Sequence, residues 1–194
     1  MPQLLLLCGS QRQESFNARL LNHIAQHLKN SCSFIAVEPF AKHLPLFNQD
    51  LENEPAVHAQ VSELHKAFMS CDAILVASPE YNGQLTPYLK NMIDWVSRMA
   101  YIDTAFDNPF VDKPVLLCSA STGSTGGSAG IPSARALFGY VGSLVFGETL
   151  CVPFAHQAWT EVGYFFDDEF ENRIHNLSQR FALHAQRFRA NKQD

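Results

Sequence analysis

Leu4-Leu5-Leu6-Leu7-Cys8 runs directly into Gly9-Ser10-Gln11-Arg12-Gln13-Glu14-Ser15-Phe16-Asn17, and the fold is decided at this junction. The first five residues form a near-continuous apolar run, the pattern of a parallel strand covered on both faces. Beyond the polar stretch, Phe16, Leu20, Leu21, Ile24 and Leu28 recur on one helical face. A buried strand, a small-residue loop and a helix start follow one another in that order. Gly9 lets the chain turn sharply off the strand. Ser10, Ser15 and Asn17 can donate hydrogen bonds, and Arg12 can donate two in parallel to phosphate oxygens. Together with the exposed N–H groups of a helix N-terminus, they compose a binding site for a phosphate group. An ordinary N-cap by Ser15 beside a solvated Arg12 explains part of the stretch, but not five suitable residues directly after the first strand. The absence of Gly-Lys-Ser/Thr and of Gly-x-Gly-x-x-Gly disfavours a Walker loop and a Rossmann dinucleotide site.

Working outward, four more apolar runs read as buried strands: Phe34–Val37, Ala73–Ala77, Val115–Cys118 and Leu144–Val152. Helical stripes lie between them. Val57, Val61, Leu64 and Phe68 form one, with Pro55 where a first turn tolerates it. Leu85, Leu89, Ile93, Val96 and Ala100 form another, starting near Thr86-Pro87. Phe170, Ile174, Leu177, Phe181, His184 and Phe188 form the C-terminal one. Alternating strands and helices predict an α/β fold with a parallel sheet, in one domain spanning residues 1–194. Pro39 to Pro55 and Asp103 to Pro114 are the long loops, and Gly123 to Gly130 is the most flexible stretch by composition.

The bulk properties narrow the function. The 194 residues carry 46% hydrophobic and 17% charged residues, a globular composition. A net charge of -5 argues against a nucleic-acid or anionic-membrane surface, so an anionic ligand has to be held by local geometry. The five cysteines (Cys8, Cys32, Cys71, Cys118 and Cys151) are scattered without a Cys-x-x-Cys pair, which fits a reducing, cytoplasmic setting. The N-terminal Leu run reads as a strand rather than a signal peptide, and no apolar run reaches membrane-spanning length.

Open parallel sheets bind ligands at the carboxyl ends of their strands, so the loops after Cys8, Ala77 and Cys118 are where function is expected. Ser78-Pro79-Glu80-Tyr81-Asn82-Gly83 offers a rigid backbone, an aromatic ring to stack and polar edges to bond. Taken alone, it reads better as a strand-to-helix turn with an incidental aromatic residue. Ser119-Ala120-Ser121-Thr122-Gly123-Ser124-Thr125-Gly126-Gly127 supplies a small-residue wall that a flat ligand can approach. A solvated Ser/Gly loop is the competing reading for its distal half, Ser124 to Gly130.

Gly9-Ser10-x-Arg12-x-x-Ser15-x-Asn17, Pro79-Glu80-Tyr81-Asn82-Gly83 and Leu89-Lys90-Asn91-x-Ile93-Asp94-Trp95 together resemble the NADPH-dependent FMN reductase family. Pro45 to Leu51 also reads like the loop that family carries after its second strand. The resemblance implies a flavodoxin-like, doubly wound, five-stranded parallel sheet of order 2-1-3-4-5 with helices on both faces. It implies FMN as cofactor, with NADPH or NADH as electron donor. The acceptor is then a small molecule: a quinone, free flavin, azo compound or metal oxyanion. By the same resemblance Ser10, Arg12, Ser15, Phe16 and Asn17 hold the FMN phosphate end. Pro79, Glu80, Tyr81, Asn82 and Gly83 line the isoalloxazine ring and ribityl chain, and Ser121, Thr122 and Gly123 lie along the other flavin edge. Gly123 to Ser133 departs from the family's compact Gly-Gly-Ala-Arg turn, separating Gly126-Gly127 from Ala134-Arg135. A homodimer or homotetramer is implied, with the helix bearing Trp95 and Met99 as the expected contact.

With redox chemistry residing in the cofactor, no catalytic side chain is expected. A non-enzymatic flavodoxin-like electron carrier or redox sensor shares the same loops and is the alternative, and a module for another phosphorylated metabolite is a third reading. His23 and His27 stand four apart as a metal pair lacking an evident third ligand, so no metal is expected. No Gly-x-Ser-x-Gly elbow supports a hydrolase. Asp167-Asp168-Glu169 is expected to start the last helix. Trp159, Tyr164, Phe165 and Phe166 are expected in the core.

Overall fold

The structure, a computed structural model, describes residues 1–37, 43–102, 105–160, 165 and 167–191. Pro39, Asp103, Tyr164 and Phe166, named above, lie outside the described residues.

The apolar runs become the strands of one parallel sheet: β1 (Gln3–Cys8), β2 (Ser33–Ala36), β3 (Ala73–Ala77) and β6 (Pro114–Ala120), edged by β7 (Leu144–Val145) and β8 (Leu150–Val152). Their order is β2-β1-β3-β6, with β7 and β8 both paired to β6. This is the flavodoxin-like doubly wound sheet. Leu5 pairs with Ile35 on one side and Ile74 on the other, so β1 lies between β2 and β3, in apolar register with both.

Helices cover both faces, and strand alternation assigns each side chain to one of them. Leu4 and Cys8 of β1 point towards α1 (Phe16–Leu28) and α5 (Asp168–Asn191), where Leu20, Ile24, Ile174 and Phe181 are buried. Leu5 and Leu7 point the other way, onto α2 (Pro55–Ser70), α3 (Pro87–Ile102) and α4 (Ile131–Tyr140). Each such leucine contributes roughly 1.5–3 kcal/mol of burial, so a one-residue slip of β1 would misplace the whole set.

Three features differ from the sequence expectations. The fifth strand is not continuous from Leu144 to Val152, because Gly147, Glu148 and Thr149 break its apolar run. Its halves pair with opposite ends of β6, Val145 beside Val115 and Leu150 beside Cys118. Arg135 reaches into the break, donating to the carbonyls of Phe146 (3.1 Å) and Gly147 (3.3 Å). Second, Ile131–Tyr140 is a helix that the Ser/Gly composition upstream obscured; Pro132 sits in its first turn. Third, Trp95 and Met99 do not face outward to a second copy. Both are buried against Val61, Leu51 and Val57, and Trp95 Nε1 donates to the Pro45 carbonyl at 2.8 Å. Asn91 clamps the same loop, donating to that carbonyl (2.9 Å) and accepting from Phe47 N (2.7 Å).

The remaining helix readings agree with the structure. Asp167 Oδ1 accepts from the N–H groups of Glu169 and Phe170 and so starts α5. Trp159 and Phe165 are buried and pack on each other.

Candidate functional site

The loops after β1, β3 and β6 converge at the carboxyl end of the sheet, joined by hydrogen bonds between every pair. The β1 and β3 loops meet first. Gly9 N donates to the Ala77 carbonyl (2.8 Å), and the buried Thr86 hydroxyl donates to the Gly9 carbonyl (2.7 Å). A Cβ on Gly9 would lie 2.1 Å from Ser78 Oγ, so only glycine allows this approach. The β3 and β6 loops are joined by Ser78 N donating to the Cys118 carbonyl at 3.0 Å and Gly130 N donating to Glu80 Oε2 at 3.0 Å. Asn17 completes the ring: its side chain donates to the Ala120 carbonyl and accepts from Ala120 N, both at 2.9 Å.

Within the first loop, Ser15 is the N-cap of α1, its buried hydroxyl accepting from Ala18 N at 3.3 Å. The earlier N–H groups of that turn have no intrahelical partner. The turn carries no acidic residue, whereas the first turn of α5 carries Asp168, Glu169 and Glu171. An anion is therefore favoured at α1 by the helix dipole and opposed at α5 by three carboxylates. Ser10 is buried, its hydroxyl accepting from Arg12 N at 3.4 Å. Arg12 is exposed; it donates to the Glu14 carbonyl (2.5 Å), and its guanidinium lies 4.9 Å from the Phe16 ring centroid. Phe16 in turn stacks parallel to Trp159 at 6.4 Å. A cavity of about 420 Å³ opens at this loop, lined by Ser10, Gln11, Arg12 and Gln13 and floored by Leu6, Cys8 and Ala36.

The second loop is a hairpin, β4 (Glu80–Tyr81) with β5 (Gln84–Leu85). Asn82 (φ 53°) and Gly83 (φ 73°) are both left-handed at its tip, the demand of a two-residue primed turn. This presents the Tyr81 ring 53% exposed. The third loop is held mainly by its backbone. Ser121 N donates to the Val152 carbonyl, Ala155 N to the Ser121 carbonyl and Phe154 N to the Gly123 carbonyl. Gly126 and Gly127 are buried at φ 62° and 83°, while Ser124, Thr125, Ser128 and Ala129 around them are exposed, so this half is anchored at its glycines and solvated elsewhere. Thr122 and Gly123 are exposed at its rim.

The structure thus brings every residue named for the cofactor to one end of the sheet, but it gives two of them other work. The Asn17 amide is buried and occupied by Ala120, so its side chain ties two loops together rather than reaching for an anion. The Glu80 carboxylate is engaged by Gly130. Sequence reasoning missed Gln11 and Gln13, which line the cavity beside Arg12, and Thr86, which braces Gly9. It also missed Phe154, half exposed at φ 46° next to Gly123. A bulky residue held in the left-handed region is costly, by roughly 1–3 kcal/mol, and is characteristic of functional loops. Its signal was its position directly after the fifth strand.

Two cysteines near the site, Cys118 and Cys151, are held as thiols. Burial pushes the Cys118 thiol far above its ordinary pKa, and burial also raises Cys151, with Glu80 adding to the shift and Arg173 opposing it. Both thiols stay protonated at neutral pH.

Residues 2–157 match the NADPH-dependent FMN reductase family. The chain belongs to that family. FMN is the cofactor of the family and a nicotinamide nucleotide its electron donor. The chain is 32% identical to a quinone reductase of Escherichia coli over 126 residues, 65% of this chain and 63% of that protein. It is 38% identical to an NAD(P)H:quinone oxidoreductase of Solanum tuberosum over 122 residues, 62% of this chain and 59% of that one. The chain therefore spans about three fifths of the length of these relatives. An NAD(P)H-dependent FMN reductase of Pseudomonas aeruginosa aligns over 96% of this chain and 97% of its own length at 29% identity. Among solved structures, the flavoenzyme NAD(P)H:(acceptor) oxidoreductase FerB of Paracoccus denitrificans superposes with a TM-score of 0.81. It covers 97% of this chain and 99% of its own at 21% identity, a likeness of fold.

Proposed function

We propose that the 194 residues act as one FMN-binding domain and an NAD(P)H-dependent oxidoreductase. FMN held in this domain would supply the hydride chemistry that links a nicotinamide donor to a quinone, free flavin, azo compound or metal-oxyanion acceptor. The observation that carries the reading is the mutual bracing of three loops at the carboxyl end of the sheet, with the acid-free first turn of α1 on one side and the exposed Tyr81 ring on another.

The chain's own residues then have distinct tasks. Ser10, Ser15, Arg12 and the first-turn amides of α1 hold the phosphate, with Phe16 fixing the Arg12 side chain from below. Pro79, Tyr81, Asn82 and Gly83 present a rigid edge and a stacking surface to the ring, while Glu80 acts on it only through the turn it anchors. Ser121, Thr122 and Gly123 border the opposite edge without bulk. No side chain is assigned a proton transfer, since flavin supplies the hydride chemistry. Partners are small-molecule acceptors. No described helix is long and apolar enough to cross a membrane, and all five cysteines are free; both suit a cytoplasmic enzyme without nucleic-acid or membrane partners. A homodimer or homotetramer would use exposed residues such as Tyr101 rather than Trp95 or Met99.

Two measurements test the reading. The purified protein should bind one FMN, and Arg12→Ala should weaken that binding by about 1.5–3 kcal/mol, the scale of a hydrogen bond to a charged group. With FMN bound, the protein should oxidise NADPH or NADH continuously when a quinone is supplied. Absence of FMN binding would reject the site. Binding without turnover would make the chain an electron carrier.

A further inference from the structure

On the face of the sheet covered by α1 and α5, four ionisable residues meet along the seam between the two helices. His23 and His27 lie one turn apart on α1, and Glu171 and His175 one turn apart on α5. His23 Nε2 is 2.8 Å from Glu171 Oε2, and His27 Nε2 is 2.9 Å from Glu171 Oε1. The candidate ligand atoms of His23, His27 and Glu171 all fall within 4.8 Å of one another. His27 Nδ1 lies 3.3 Å from His175 Nδ1.

The detail that separates this cluster from an ordinary hydrogen-bonded one is His27 Nε2. That atom is buried without a well-aligned hydrogen-bond partner, although Glu171 Oε1 stands 2.9 Å away as an ion-pair contact. When His27 Nδ1–H donates to His175, the Nε2 lone pair is left beside a negatively charged oxygen. Such a pair is unfavourable without a cation between the two atoms. Two imidazoles and a carboxylate with their ligand atoms this close are the ligand types of a zinc-class ion, with a third histidine placed to orient one of them.

We propose that His23 Nε2, His27 Nε2 and the Glu171 carboxylate bind one divalent transition-metal ion, zinc being the best match, with water in the fourth position and His175 positioning His27. Tetrahedral bonds of roughly 2.0–2.2 Å require each histidine nitrogen and the carboxylate oxygen it faces, now 2.8 and 2.9 Å apart, to separate by a few tenths of an ångström. The ion would pin the C-terminal half of α1, whose N-terminus opens the phosphate loop, to α5. It lies apart from the flavin loops and does not depend on the flavin reading. Glu171 and His175 also lie beyond residues 2–157, so the site joins the matched part of the chain to the helix outside it.

The test uses the untagged full chain, stripped with chelator and titrated with zinc chloride by calorimetry. One saturable equivalent is expected, with a rise in Tm that chelator reverses. His27→Ala and Glu171→Gln should lose that equivalent, and His175→Ala should weaken it about 10- to 100-fold, as loss of an orienting partner does. Cobalt(II) added to the unaltered protein should give visible bands of four-coordinate geometry without a thiolate charge-transfer band, a readout that stands even if a variant fails to fold. Failure to bind zinc, zinc binding unchanged in the variants, or a thiolate signature with cobalt would each overturn the proposal.

Discussion

The loop after β1 and the loop after β6 face the same place but are built by opposite means. The first is built by side chains: Ser15 caps the helix, Ser10 caps a turn, and Asn17 reaches across to Ala120. The second is built by backbone, with Ser121, Gly123, Phe154 and Ala155 exchanging main-chain bonds and Gly126 and Gly127 filling spaces no side chain fits. A loop made of side chains declares itself in its residue types. A loop made of backbone shows only small residues, and these read equally as a wall or as slack.

That contrast can be broken experimentally, beginning where the two loops meet. Asn17→Ala would orphan the N–H and carbonyl of Ala120 inside the protein. At roughly 1–3 kcal/mol per unsatisfied buried group, unfolding free energy should fall by about 3 kcal/mol in denaturant melts. Gly127→Ala comes next. Its φ of 83° disfavours any side chain, and the new Cβ would lie 2.0 Å from Ser119 Oγ; a loss of about 2 kcal/mol is expected from strain and overpacking together. Ser15→Ala removes an N-cap and should cost about 1 kcal/mol. Ser121→Ala deletes only a 3.2 Å bond from Gly123 N at an exposed position, and about 0.5 kcal/mol or less should be lost. The two serines sharpen the comparison. If Ser121→Ala proved as costly as Ser15→Ala, the third loop would depend on side chains after all.

The same physics explains what was legible in the sequence. β1, β3, β6 and α1 are written in apolar periodicity, so the parallel sheet and the place of the candidate site followed from them, whereas the strand order came from the family resemblance. The Asn82-Gly83 turn was legible by its chemistry, although the loop around it was not read as a hairpin. What failed was information carried over long range. Nothing in Leu144–Val152 alone states that Arg135 fills a break in its middle. Trp95 and Met99 read as an outward stripe because the residues that cover them, Val57, Val61 and Leu51, come from another helix and a distant loop. Asn17 and Glu80 have the right chemistry for a ligand, but their partners lie 103 and 50 residues away. His23 and His27 lacked a third ligand for the same reason, since Glu171 is 148 residues from His23.

The broken fifth strand has a consequence of another kind. A sheet edge is a template on which a foreign strand can pair, and long flat edges invite aggregation. Here that edge is only two and three residues long in its two halves, and the gap between them displays carbonyls already claimed by Arg135. An intruding strand would find no uninterrupted ladder to extend. The interruption that hid the strand's true shape from the sequence thus also keeps one flank of the sheet from recruiting its neighbours.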